Sequence, residues 1–223
     1  MKPLSLFLHR MYRIVVKIGL ALNYDFFTWQ EEDLPKGPKI FCSNHFSSSD
    51  VHFVTTLTDE PLHMVIGPAF GIPVIGSFLG WTEQIKALSK EDRRHVVDQA
   101  VSYLKKGDSI YIFPEGGLNT QEEMMPFKQG IAEMYLTYPV PIVPIGLIAP
   151  RRRVRNKISK TARREMRVVS RNYYANIGKV MEFPEALEMA KIDRAAAREM
   201  ILTELRKTID SLIVEIKTDK FWS

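Results

Sequence analysis

The chain has 223 residues, 45% of them apolar and 26% charged, which suits one folded domain with a sizeable core and excludes disorder as its main state. Its single cysteine, Cys42, excludes an intramolecular disulfide and a cysteine-built metal site. The net charge of +5 is concentrated: from Arg151 to Arg171 eight Arg and two Lys face one Glu, so that segment carries +9 and the rest of the chain −4.

From Leu4 to Leu22 the apolar residues fall at helical spacing, with Arg10, Arg13 and Lys17 on the other face. This predicts an amphipathic helix that either lies in a bilayer interface, with its basic side toward lipid headgroups, or packs on the domain. On the interfacial reading, residues 1–29 form a membrane-interface unit and 30–223 the main domain. No run of apolar residues is long enough for an ordinary transmembrane helix, and Lys17 interrupts any secretory-signal pattern.

After the turn-rich Leu34–Pro38 the pattern alternates. Strands are expected at Lys39–Cys42, Leu62–Ile66, Thr82–Ile85, Ser109–Phe113, Ile142–Ile148 and Tyr173–Phe183. Helices are expected at Asp50–Leu57, Glu91–Lys105, Phe127–Leu136 and Asp193–Ile216. Gly67–Gly80 is punctuated by Gly and Pro and is left without an element. Strands alternating with helices imply a single α/β domain: a central, largely parallel or mixed sheet flanked by helices, preceded by the amphipathic helix.

Two segments carry chemistry. In Asn44-His45-Phe46-Ser47-Ser48-Ser49-Asp50 a histidine and an aspartate are five positions apart. On one continuous helix they would diverge by about 140°. They meet if His45 ends a strand and Asp50 sits in the first turn of the next helix, where serines cap well and an acid is favoured. The imidazole then accepts a proton from an attacking hydroxyl while the carboxylate fixes its tautomer. Taken alone, the segment reads first as a capped helix beside a structural histidine. The second segment, Phe113-Pro114-Glu115-Gly116-Gly117, is a strand running into an acid and two glycines. It reads equally as a plain turn or as backbone N–H groups open to an oxyanion or phosphate.

In order and spacing the two segments together resemble the lysophosphatidic acid (glycerolipid) acyltransferase family. Asn44-His45 with Asp50 is similar to its first block, Gly67–Lys86 to its second, Phe113–Gly116 to its third and Val143-Pro144-Ile145 to its fourth. Phe127-Lys128-Gln129-Gly130 resembles the Phe-Lys-x-Gly that follows the third block. The resemblance implies His45 as base and Asp50 as its orienter. It implies acyl-CoA or an acyl carrier protein as co-substrate with no bound cofactor, and a lysolipid acceptor held by Glu115 and Gly116. By the same resemblance Asn44, Lys86, Gly117 and Lys128 join the substrate-binding set, the Gly116-Gly117 amides as donors to the tetrahedral intermediate. Two positions depart from the family: Leu118 and Lys86 stand where it has arginines. A lysophospholipid with another headgroup, or a glycolipid, is therefore the better acceptor. Phe-Pro-Glu-Gly-x-x-Asn also resembles tafazzin-type phospholipid transacylases, which need no thioester. A catalytically silent membrane-binding protein is the remaining alternative.

Cys42, in an apolar run, is expected to be inert rather than a nucleophile. His45, His52 and His63 lack metal-ligand spacing, so no metal is expected. The basic segment that begins at Arg151, Arg152 and Arg153 has no nucleic-acid motif and no aromatics. Anionic headgroups are its expected partner. With the N-terminal helix it gives two membrane signals, and peripheral attachment at the cytoplasmic face of a membrane is the expected location.

Overall fold

A computed structural model describes residues 1–119, 123–149 and 172–218. The chain runs α1 (Pro3–Ala21), β1 (Asp25–Gln30), β2 (Ile40–Ser43), α2 (Asp50–Val54), β3 (Leu62–Ile66), α3 (Pro73–Trp81), β4 (Ile85–Lys86), α4 (Lys90–Leu104), β5 (Ser109–Ile112), α5 (Gly130–Thr137), β6 (Ile142–Ile148), β7 (Asn172–Ile177), α6 (Pro184–Met189) and α7 (Arg194–Thr218), with a 3₁₀ turn at Pro68–Gly71 before α3. The strands form one seven-stranded sheet in the order β1-β7-β6-β2-β5-β3-β4. Neighbours are parallel except β6 and β7, so β1 and β7 run against the other five. This is the expected single α/β domain with a mixed sheet and an N-terminal helix.

The central strands are continuous apolar runs because both faces are covered. Every residue of β2 and β5 is buried. One face of the sheet packs on α4, α5 and α7 through Ile110, Ile131, Leu104 and Ile209. The other packs through Phe41, Phe53, Tyr111 and Tyr173. Helix α4 begins on a reciprocal cap: Ser89 Oγ accepts from Asp92 N at 3.0 Å and Asp92 Oδ2 from Ser89 N at 2.8 Å.

Three elements were not expected. Strand β1 holds two exposed-leaning aromatics, Phe27 and Trp29, whose rings stack on Tyr174 at 5.2 and 6.3 Å. It falls directly after α1, so the boundary drawn at residue 29 lies inside it. Helix α3 is hidden by its glycines; a Cβ on Gly76 would lie 2.4 Å from the Phe70 carbonyl oxygen, so the residue there must be glycine. Helix α6 is a short stretch that starts on Pro184 at its first position. The strand expected at Tyr173–Phe183 closes at Ile177, and the one expected at Thr82–Ile85 is the two-residue β4, Ile85–Lys86.

Helix α1 lies on the domain by its polar side. His9 Nε2 meets the Thr82 carbonyl at 2.9 Å, Tyr12 hydrogen-bonds His52, and Arg13 Nη1 donates to the Thr58 carbonyl at 3.0 Å. Arg13 and Lys17 also approach Asp59, at 3.8 and 3.7 Å. Its apolar side, Leu4, Phe7, Met11, Ile14, Val15, Ile18 and Leu22, faces outward. Of the basic face expected at lipid headgroups, Arg13 is committed to the protein through the Thr58 carbonyl, while Arg10 and Lys17 keep exposed heads. No helix among the described residues is long and apolar enough to cross a membrane.

Candidate active site

Parallel strands gather their C-terminal ends on one edge, where open α/β sheets place their ligands. Here that edge collects the loop after β2, with His45, and the loop after β5, with Glu115. Helix α2 is only five residues long, and it carries Asp50 in its first turn. His45 Nδ1 lies 3.1 Å from Asp50 Oδ2, and the same oxygen accepts from Phe46 N and Ser47 N, both at 2.8 Å. Asp50 is fully buried. Because its partner is a carboxylate, Nδ1 of the neutral imidazole carries the proton and Nε2 is left bare. Nε2 makes no hydrogen bond among the described residues, and the His45 side chain keeps 14% exposure. Phe113 stacks on the ring at a centroid distance of 4.0 Å and fixes its plane.

Asn44 is turned inward. Its Nδ2 donates to the Leu147 carbonyl and its Oδ1 accepts from Leu147 N, each at 2.8 Å, so both polar atoms are spent on tying β2 to β6. Glu115 is likewise turned inward. Its oxygens accept from His45 N at 2.9 Å and Met125 N at 2.8 Å. Burial raises its pKa above the ordinary 4.5, opposed by those bonds and one from Asn119. It anchors the His45 loop, each of its oxygens accepting a backbone N–H. Asn119 completes this frame: its N–H donates to the His45 carbonyl at 2.7 Å. Asn119 is not among the expected site residues; its signal in the sequence is its place as the last residue of the Phe-Pro-Glu-Gly-x-x-Asn run.

Gly116 turns with φ 69°, and a Cβ there would come within 3.0 Å of the Lys128 stem, so Lys128 lies across the turn. Gly116 N donates to the Phe113 carbonyl at 3.0 Å. Gly117, exposed, has no hydrogen bond from its N–H among the described residues. Of the two amides expected as oxyanion donors, only Gly117's is open. Lys86 closes β4 on the same sheet edge, with Nζ 3.7 Å from Asp92. Arg151, Arg152 and Arg153 lie outside the described residues.

The other candidates are structural. Cys42 is buried, and burial pushes its thiol well above the ordinary range. His63 stacks on Tyr103 at 3.6 Å and bonds to the Glu83 carbonyl and Asp108 at the opposite edge of the sheet. His52 is held by Tyr12, whose phenol burial pushes up to about 12.

Beside α2 opens a cavity of about 630 Å³ between α1, α2, α3 and β3. Its wall is mainly apolar, with Leu6, Val51, Met64, Ile75, Phe78 and Leu79. Ser48 of the His45–Asp50 loop forms part of the same wall.

Residues 27–148, more than half of the chain, match the family model described as Acyltransferase. The chain is 33% identical over 125 residues to the protein named 1-acyl-sn-glycerol-3-phosphate acyltransferase BAT2, chloroplastic, of Brassica napus, covering 52% of this chain and 35% of that one. It is 27% identical over 135 residues to the 1-acyl-sn-glycerol-3-phosphate acyltransferase of Saccharomyces cerevisiae, covering 56% and 44%. It thus spans less than half the length of these curated relatives. The crystal structure of PlsC, the 1-acyl-sn-glycerophosphate acyltransferase of Thermotoga maritima, shares the fold, with a TM-score of 0.66 over 92% of this chain and 79% of that one at 15% identity.

Proposed function

The chain belongs to the acyltransferase family, and from that premise we propose that it moves a fatty acyl chain from a thioester, acyl-CoA or an acyl carrier protein, to a hydroxyl of a lysophospholipid or related glycerolipid. The observation that carries this reading is His45: Nδ1 fixed on a buried carboxylate, Nε2 open, and an apolar cavity beginning at the same loop. Nε2 takes the acceptor's proton as its oxygen bonds to the thioester carbonyl carbon. The carbonyl electrons move to oxygen, where the Gly117 N–H offers a donor. When they return, the carbon–sulfur bond breaks and the imidazolium protonates the departing thiolate. Asp50 stabilises the imidazolium throughout. The cavity between α1 and α3 receives the acyl chain.

The relatives are named for acting on 1-acyl-sn-glycerol-3-phosphate. With Leu118 and Lys86 where the family has arginine, this site loses the bidentate forks that favour a phosphate monoester. Its acceptor therefore carries a different headgroup. Thiol release from palmitoyl-CoA, followed with a panel of lysolipids, tests both points. Release should depend on acceptor and be higher with a lysophospholipid diester or glycolipid than with lysophosphatidic acid. Acyl exchange between phospholipids without thiol release would make the protein a transacylase, and release indifferent to acceptor a thioesterase; either would overturn the reading.

The outward apolar face of α1 is the membrane contact of this proposal. Helix α3 adds exposed Val74, Ile75 and Trp81, and packs beside α1 through Phe78 and Tyr12 at 5.5 Å. Arg10 and Lys17 meet headgroups at the rim, and Arg151, Arg152 and Arg153 supply the anionic-lipid attraction. Each large apolar side chain taken fully from water contributes about 1.5–3 kcal/mol. Phe7→Glu with Ile14→Glu should therefore release the protein from liposomes in co-sedimentation without lowering its Tm; unchanged sedimentation would remove α1 from the interface.

A further inference from the structure

Asp50 is held lopsidedly. Oδ2 takes three donors, while Oδ1 is buried and accepts none among the described residues. Two of those three donors belong to the four-residue loop between His45 and Asp50, so the carboxylate is only as fixed as that loop. The loop is too short to have a core of its own. It has hydroxyls instead. Ser47 Oγ and Ser49 Oγ are 2.7 Å apart, and Ser49 N donates to Ser47 Oγ at 3.3 Å. Ser49 Oγ is hydrogen-bonded in turn to the Tyr173 hydroxyl, from β7, 124 residues away along the chain.

Tyr173 is built to hold still. It is 1% exposed. Its ring meets Phe53 of α2 at 4.7 Å, Tyr24 edge-on at 5.1 Å and Phe26 at 5.9 Å. Burial raises its pKa, with the charge of Asp50 adding to the rise and the Ser49 and Ser47 hydroxyls opposing it, so the phenol stays a protonated donor beside the carboxylate. The ring contacts are packing, but the hydroxyl is not needed for them: a phenylalanine would keep the same rings in place.

We propose that Tyr173 is a positioning residue for the acyl transfer, its hydroxyl acting through Ser49 and Ser47 to hold the loop in the conformation that aims the Phe46 and Ser47 N–H groups at Asp50. Should the Ser47 peptide turn away, Oδ2 loses a donor, the carboxylate is free to swing toward its unpartnered oxygen, and His45 is no longer held on Nδ1. The inference rests on His45 as the base of the proposed reaction.

Tyr173→Phe keeps the ring contacts and removes only the hydroxyl. It should lower kcat about 10- to 100-fold, as expected for a sub-ångström loss of alignment, with KM for donor and acceptor unchanged. Ser49→Ala should do the same, the double variant should be no worse than either single one, and Ser49→Thr, which keeps the hydroxyl, should retain activity. Wild-type kcat in Tyr173→Phe, or losses that multiply in the double variant, would overturn the proposal; so would a fall in Tm with kcat intact, which would make the contact a folding one. A measurement without turnover separates this proposal from the reading beneath it. The His45 Nδ1–H resonance should exchange with solvent faster in Tyr173→Phe than in wild type even if no acyl donor is accepted. Equal exchange rates would overturn the positioning role whatever reaction the site performs.

Discussion

His45→Ala should reduce acceptor-dependent thiol release by about 10²–10⁴-fold, the usual worth of a general base in place, while the protein remains folded. The ring is 14% exposed and packs chiefly on Phe113, so its removal opens no deep cavity. Donor KM should hardly move, because the apolar cavity is walled by α1, α3 and β3 rather than by the imidazole. Asp50→Asn probes the other half of the pair. Its single amide oxygen can still accept from Phe46 N, Ser47 N and His45 Nδ1–H, but the negative charge that stabilises the imidazolium is gone, and its NH₂ occupies the buried position where Oδ1 has no partner. The loss should fall mainly on kcat and approach that of His45→Ala, since base and orienter act as one unit and their effects do not add. A His45→Ala enzyme with wild-type release would end the proposal that this histidine carries the proton.

The pairing of His45 with Asp50 was legible from the strand-then-helix reading, an apolar run ending at His45 and an acid at the start of the next helix, together with the family resemblance; the serine cap expected there is absent, since Ser49 Oγ bonds Ser47 and Tyr173 rather than the helix N-terminus. Helix α4 was legible from its apolar spacing, expected from Glu91, while the Ser89–Asp92 cap that starts it at Lys90 was not expected. Direction was not legible. Asn44 and Glu115 stand in the right segments, yet both spend their polar atoms on backbone elsewhere in the chain, Asn44 on Leu147 and Glu115 on the distant His45 and the nearer Met125. Which way a polar side chain turns is decided by unpaired N–H and C=O groups at the edge of the finished sheet, and no local pattern reports them. Tyr173 is the same case at longer range.

Helix α1 shows where periodicity stops. Its two faces were correctly separated by spacing, but a hydrophobic stripe says nothing about what it will meet. The answer came from the polar side: His9, Tyr12 and Arg13 find a carbonyl, a histidine and a second carbonyl on the domain. The apolar stripe is thereby turned outward. Strand β1 escaped notice because its six residues make sense only beside β7, which comes more than 140 residues later in the chain.

Glu115→Gln should be the most damaging change at a residue that acts through the backbone it holds. The carboxylate presents an oxygen to each of two backbone N–H groups, His45 and Met125. A carboxamide has one oxygen; its NH₂ must face the other donor, leaving a partly buried N–H without an acceptor at a cost of up to about 1–3 kcal/mol. If His45 N–H is the one abandoned, the base shifts on its own backbone and kcat falls with it, by about 10²-fold for a displacement near 1 Å. The pH dependence distinguishes this from general loosening. Burial holds the Glu115 pKa above its ordinary 4.5, so the folded protein binds that proton more tightly than the unfolded chain does. Stability contributed by Glu115 is therefore greatest at acid pH and declines as pH rises from the ordinary value through the raised one. Glutamine does not titrate. The gap in unfolding free energy between wild type and Glu115→Gln, measured by urea denaturation, should shrink from pH 4.5 toward neutrality. A gap that widened over that interval would mean that the hydrogen bonds to His45 and Met125 outweigh burial and hold the carboxylate ionised.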